Sequence, residues 1–452
     1  MKQICPAQPT DINQDKSARA GCGKRGIADI RAGILYLVLS SSLPGPCLSD
    51  PVTPLSLQPD WSEIQKFQKT ITHDQFVRLL EYVYAPNHAA DQWIKVEPDH
   101  AEIRTEGDQW LALKFAADDR SRRRVPGYWE TPSKLPRNNR LPLSGLTIAL
   151  DPGHLGGKWA KMEERWFQIA DSKPVTEGDL TLQTAKILAP RLRALGARVV
   201  FVRSKDGPIT SLRPSDLRAE ALASLKQEKV EPIVASYNGP ADPMKEHAIQ
   251  WEAERLFYRV AEIHERARKV NRALQPDLTV CLHFDAEPWG DPAHPTLTDA
   301  EHLHLIVNGA CSESEMAYGD VRFNMLLKLL SQSFDEELGL GESVAKSLAE
   351  TTGLPAFRYE GSNAYPVGTT GYVWARNLLA NRLYRCPVAY VECYVMNSRS
   401  FFQRFQAGSY SGEREFDGVM RKNIYEEYAD GVATGLADYF RTARGGPGAG
   451  SE

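Results

Sequence analysis

The chain has 452 residues, with 54 Lys and Arg against 58 Asp and Glu, a formal net charge of −4. That balance, without a basic stripe, excludes a nucleic-acid partner, and 42% apolar with 25% charged residues excludes a disordered chain. Seven cysteines in this length, none in a C-x-x-C pair, exclude a disulfide scaffold, a zinc knuckle and a redox dithiol.

In chain order, Lys24, Arg25 and Arg31 precede an apolar run at 32–43 (AGILYLVLSSSL) that Pro44-Gly45-Pro46 ends. The run has the length of a signal-peptide core and falls short of a bilayer about 30 Å thick. It predicts export, to the periplasm or cell envelope, with 1–50 as leader. Pro46 stands before Cys47 where a lipidation motif has a small residue, so no lipid anchor is expected there. No later segment is apolar enough to span a membrane, so the mature chain is expected to have no transmembrane helix.

Residues 51–135 read as a small α+β domain. A Pro-rich linker at 51–60 is followed by helical patterns at 60–70 and 72–83. Thr72 is placed as N-cap, with Phe76, Leu79, Leu80 and Val83 at helical spacing. Strand-like runs follow at 93–96, 101–104 and 110–115. No chemically suggestive cluster occurs here, which leaves a binding or spacer role. The charged, Pro-containing stretch 118–140 marks a boundary.

From 141 to 445 strands and helices alternate. Strands are expected at 146–151, 198–203, 278–283, 303–307 and 388–392. Helices are expected at 179–195, 325–338, 342–352 and about 421–441, the first opened by a Thr176/Asp179 capping pair and ended by Gly196. This rhythm predicts an α/β fold, a mostly parallel sheet covered by helices on both faces. Residues 208–265 exceed a simple crossover and read as a helical insertion near the ligand-binding edge, a lid or an inhibitory element that a partner displaces. Residues 446–452 form a flexible tail.

Three of the strands end in a group able to bind metal or move protons. LTIAL leads through Asp151-Pro152-Gly153 to His154, LTVCL to His283, and VAYV to Glu392. Parallel strands gather such ends at one edge of a sheet. Glu177, just before the 179–195 helix, shares a connection with His154. Two imidazoles and a carboxylate suit zinc and leave a fourth position for water. A second carboxylate, Glu392, can take the water's proton and hand it to a leaving amine.

These segments resemble a known family. LTIALDPGH, TEGDLTLQTAKILAPRLRALGARVVFVR, NRALQPDLTVCLHFDA and CPVAYVECYVMN are similar, in order and spacing, to the motifs of the zinc-dependent N-acetylmuramoyl-L-alanine amidases (the Amidase_3 family), over residues 146–440. The resemblance implies peptidoglycan as substrate, Zn2+ held by His154, Glu177 and His283, and Glu392 as the catalytic glutamate. Cys281 and Asp285 replace the serine and asparagine that flank the family's second histidine, and Asn397 comes slightly early after Glu392. Asp285 adds charge near the metal, and Arg376 matches an arginine able to meet a stem-peptide carboxylate. The alternatives are a catalytically vestigial wall-binding protein and a zinc amidase for a different amide. His302 and His304, spaced by two beside Glu301, read as a partly exposed strand.

Overall fold

The computed structural model describes residues 50–291 and 293–445. The export segment, Cys47 and the 446–452 tail lie outside the described residues.

The N-terminal part opens with a short helical turn, Trp61–Phe67. Helix α1 (His73–Leu79) follows, with Thr72 accepting from Gln75 N and Gln75 answering it in a capping box. Three antiparallel strands, β1 (Ile94–Val96), β2 (His100–Arg104) and β3 (Trp110–Lys114), form a small sheet. This part shares the main core. Trp61 meets Phe323 edge-on at 5.4 Å, and Ala310 N and Cys311 N donate to the carbonyls of Val83 and Tyr84. Asp50 pairs with buried Arg322, and Thr53 bonds Asp320.

The main sheet has seven strands. They are β4 (Thr147–Pro152), β7 (Arg198–Phe201), β8 (Leu278–Asp285), β9 (Leu303–Asn308), β10 (Ala364–Pro366), β11 (Val373–Arg376) and β12 (Val388–Val395). A two-stranded ribbon, β5 (Trp166–Phe167) with β6 (Val175–Thr176), sits between β4 and the first long helix. A second hairpin, β13 (Arg414–Phe416) with β14 (Val419–Arg421), lies near the C-terminus. The order across the main sheet is β10-β11-β9-β12-β8-β4-β7. Strands β7, β4, β8 and β12 are parallel, as expected. Strand β9 runs opposite to β12, with β11 parallel to β9 and β10 antiparallel to β11. The start of β9 therefore reaches the edge where β8 and β12 end.

Helices cover both faces. Helix α2 (Glu177–Ala194), α8 (Phe334–Thr352) and α11 (Ile424–Ala443) pack on Ile148, Leu150, Val280, Leu282 and Val391. The insertion supplies α3 (Arg218–Gln227) and α4 (Ile249–Arg255) and runs into α5 (Glu262–Arg268), which passes its end and continues through a wide turn to Leu274. Its last turns, with α9 (Leu379–Leu383), cover the opposite face around Ala149, Cys281, Ile306 and Tyr390. Helices α6 (Glu313–Met316), α7 (Gly319–Ser331) and α10 (Arg399–Gln406) complete the set.

Two local expectations fail. The helix expected at 325–338 is two helices, because Gln332 is left-handed (φ 57°) and Ser333 restarts the chain as α8. The capping pair at α2 does not cap: Thr176 donates its hydroxyl to Asp179, and Asp179 accepts from Gly157 N instead of from its own helix.

Candidate metal centre

Strand β4 delivers Asp151, Pro152 and Gly153 to the sheet edge, and His154 turns away with φ at 59°. The turn is tightly bound. Arg203 donates to the carbonyls of Pro152, Gly153 and Leu155, and Arg266 donates to those of Pro152 and His154 and to the Asp151 carboxylate. Both arginines are buried, so each guanidinium exchanges solvent for fixed carbonyls. Gly153 permits the close approach that follows: a Cβ there would lie 2.2 Å from His283 Cε1.

His154, Glu177 and His283 converge, with one donor atom from each lying within 4.8 Å of the others. Glu177, the first residue of α2, places its carboxylate between the two rings. Its oxygens lie 3.0 Å from His154 Nε2 and 3.2 Å from His283 Nδ1. Arg165 Nε approaches the same carboxylate at 3.1 Å, and Phe284 N donates to it. Burial opposes ionisation of Glu177, but His154 and His283 overcome it and hold its pKa well below the usual range. Burial lowers the pKa of His283. For His154 burial pulls down, while Glu177 and Glu163 pull further up. His283 also stacks on Tyr390, centroids 4.6 Å apart, which fixes its ring plane.

Glu392 stands opposite His283 in the β12–β8 register and opposite His304 in the β12–β9 register. Adjacent residues in register share a face, so Glu392 lies on β12 beside His283 and is half-buried. Burial raises its pKa, Asp285 and Glu177 raise it further, and Arg165 and Arg376 oppose them. Asp285 ends β8, buried, accepting from Ala286 N, and burial pushes its pKa up to about 7. Arg376 ends β11, buried, donating to Tyr359 Oη.

His302 and His304 are buried, not partly exposed. Both rings lie against Phe357, His302 stacked at 4.4 Å and His304 tilted at 4.9 Å. Tyr359 Oη lies 2.9 Å from His304 Nε2. Burial lowers the pKa of both, that of His302 to about 4. Cys281 and Cys393 are free buried thiols.

Glu163 and Arg165 were missed in the sequence. They lie in KMEERWF, which has neither strand nor helix periodicity. Their signal is alternation beside the β5–β6 ribbon, which only the fold reveals.

The fold and these side chains define a layered α/β domain with two half-buried histidines around a buried glutamate at one edge of its sheet, and a further acid in register beside His283. No family profile matches the chain. Among curated proteins it is similar to LytH of Staphylococcus aureus, named a probable cell wall amidase, with 29% identity over 166 residues. That match covers 36% of this chain and 52% of LytH, so the chain spans about half the length of the relative it matches. Among solved structures, Ami1 of Mycobacterium smegmatis, an N-acetylmuramyl-L-alanine amidase, aligns over 66% of this chain and 98% of its own at 18% identity and a TM-score of 0.34. The CwlD amidase of Clostridioides difficile aligns over 65% and 98% at 11% identity and a TM-score of 0.36. Scores this low decide nothing about chemistry.

Proposed function

We propose that the chain is an exported, zinc-dependent amidase that cleaves the bond between N-acetylmuramic acid and L-alanine in peptidoglycan. The observation that carries this reading is the approach of His154, Glu177 and His283 to within 4.8 Å, with Glu392 in register beside His283. The LytH likeness and the motif resemblance point the same way.

The donor set fits the metal. Two imidazole nitrogens and one carboxylate, all at a strand edge, make the three-ligand zinc site with one position open. When bound, zinc supplies Lewis-acid polarisation of the scissile carbonyl and a water that ionises near neutral pH. The chain's own residues do the rest. Glu392 takes the proton of the attacking water and returns it to the departing amine of L-alanine. Burial, Asp285 and Glu177 oppose the ionised form that the first role needs, and Arg165 and Arg376 favour it. Arg376 receives a carboxylate of the stem peptide, and Asp285 adjusts which stem is accepted.

The test is release of stem peptides from purified sacculi, with products weighed by mass spectrometry. Wild type is expected to hold about one zinc and release peptides that begin at L-alanine. Glu392→Gln is expected to lower the rate by at least about a hundredfold with zinc content unchanged. Full activity in that variant, or a product cleaved elsewhere, would falsify the assignment.

A further inference from the structure

Three consecutive residues, Glu163, Glu164 and Arg165, bear on the centre without belonging to any strand end. Glu163 is 1% exposed. Its carboxylate accepts from Leu155 N and Gly156 N at 3.0 Å and lies 3.4 Å from His154 Nδ1. Arg165 holds Glu177 from the far side. Glu164 faces the other way, into the insertion, accepting from Trp251 Nε1 at 3.0 Å and pairing with Lys245.

We propose that Glu163 is the positioning residue for His154, and that the insertion holds Glu163 in place through Glu164. This rests on His154 being a metal ligand, as in the reading above. A neutral imidazole carries one N–H, and a neighbouring carboxylate captures it. With Nε2 turned toward Glu177 and given to the metal, the one N–H sits on Nδ1, where Glu163 at 3.4 Å is its acceptor. Carboxylate partners of ligating histidines fix tautomer and ring orientation in this way.

The backbone makes the same demand. His154 is left-handed, a conformation costly for a residue with a side chain. It persists only if its surroundings over-determine it. Glu163 ties down the two amides that follow, and Arg266 ties down the His154 carbonyl at 2.8 Å. Both clamps reach back to insertion helices: Arg266 is on α5, and Glu164 is gripped by Lys245 and by Trp251 of α4. The insertion therefore braces the centre from behind.

The experiment uses the full chain without substrate and has two readouts. The first is the Nδ1–H proton resonance of His154 in zinc-loaded protein, whose shift and exchange rate report the acceptor it faces. The second is zinc affinity by competition with a chelator. Wild type is expected to show that proton far downfield and slow to exchange. Glu163→Gln, a weaker acceptor, is expected to move it upfield, speed its exchange and weaken zinc about 10- to 100-fold. Glu164→Gln keeps an acceptor for Trp251 and loses the pairing with Lys245, and is expected to weaken zinc only a few-fold. Should Glu163→Gln not fold, Glu163→Asp keeps the charge one methylene short and is expected to lower affinity about tenfold. An unchanged Nδ1–H signal in Glu163→Gln, or unchanged zinc affinity in either Glu163 variant, overturns the proposal. If wild type binds zinc tightly but releases no stem peptide, the amidase reading fails while this one stands. If it binds none, this proposal and the amidase reading fall together.

Discussion

At the scale of single residues, the centre depends on positions that carry no chemistry. Gly153→Ala would drive a Cβ to 2.2 Å from His283, closer than any real contact, so the turn or the ring must move. We expect zinc affinity, read by chelator competition, to fall at least about tenfold. Glu336 makes a separate prediction. Burial pushes its pKa up to about 8, against a hydrogen bond from Tyr439 that lowers it. The folded state then keeps a proton that the unfolded chain loses above about pH 4.5, so stability falls as pH rises from there through 8. Glu336→Gln should flatten that slope, by at most about 2 kcal/mol after allowance for its partial exposure. Thermal melts from pH 5 to 9 would check it. His154, Glu177, His283 and Glu392 could be picked out in the sequence because apolar runs end at or beside them. Glu163 and Arg165 could not, since nothing in a charged loop tells which of its acids turns inward. His302 and His304 read as partly exposed because alternation says which residues share a face, not whether Phe357 covers it.

At the scale of elements, the insertion is the part whose role the sequence left open. Its length and position suggested a lid. In the fold, Arg266 of α5 sits beneath the His154 turn, bonded to Asp151, Glu262 and two carbonyls. Glu262 in turn accepts from the amides of Ile209 and Thr210. Arg266→Met leaves Asp151 and Glu262 buried with one cation fewer, which costs about 3–5 kcal/mol. A drop in unfolding free energy of that order is expected in denaturant titration, whereas a lid residue would leave it unmoved. Deleting 208–265 should accordingly destroy the fold and not release activity. Strand positions were well read, because continuous apolar runs mark buried strands. The direction of β9 was not, since a strand has the same pattern in either sense and only the path of the chain between 285 and 303 sets it.

At the scale of the molecule, the α/β class followed from the alternation of elements and holds. What composition could not convey is how residues 51–135 meet the rest. The sequence reads 51–135 as a separate unit, because a charged Pro-containing stretch follows it. The structure puts Trp61, Phe76, Val83 and Tyr84 in one continuous core with α7 and β9. A spacer on a hinge would have a core of its own, but here residues 61–115 pack into the same core as the main sheet. Calorimetry on the intact chain should give a single endotherm, and mild trypsin should liberate no soluble catalytic fragment, because stripping the front would bare Phe323 and its neighbours to water.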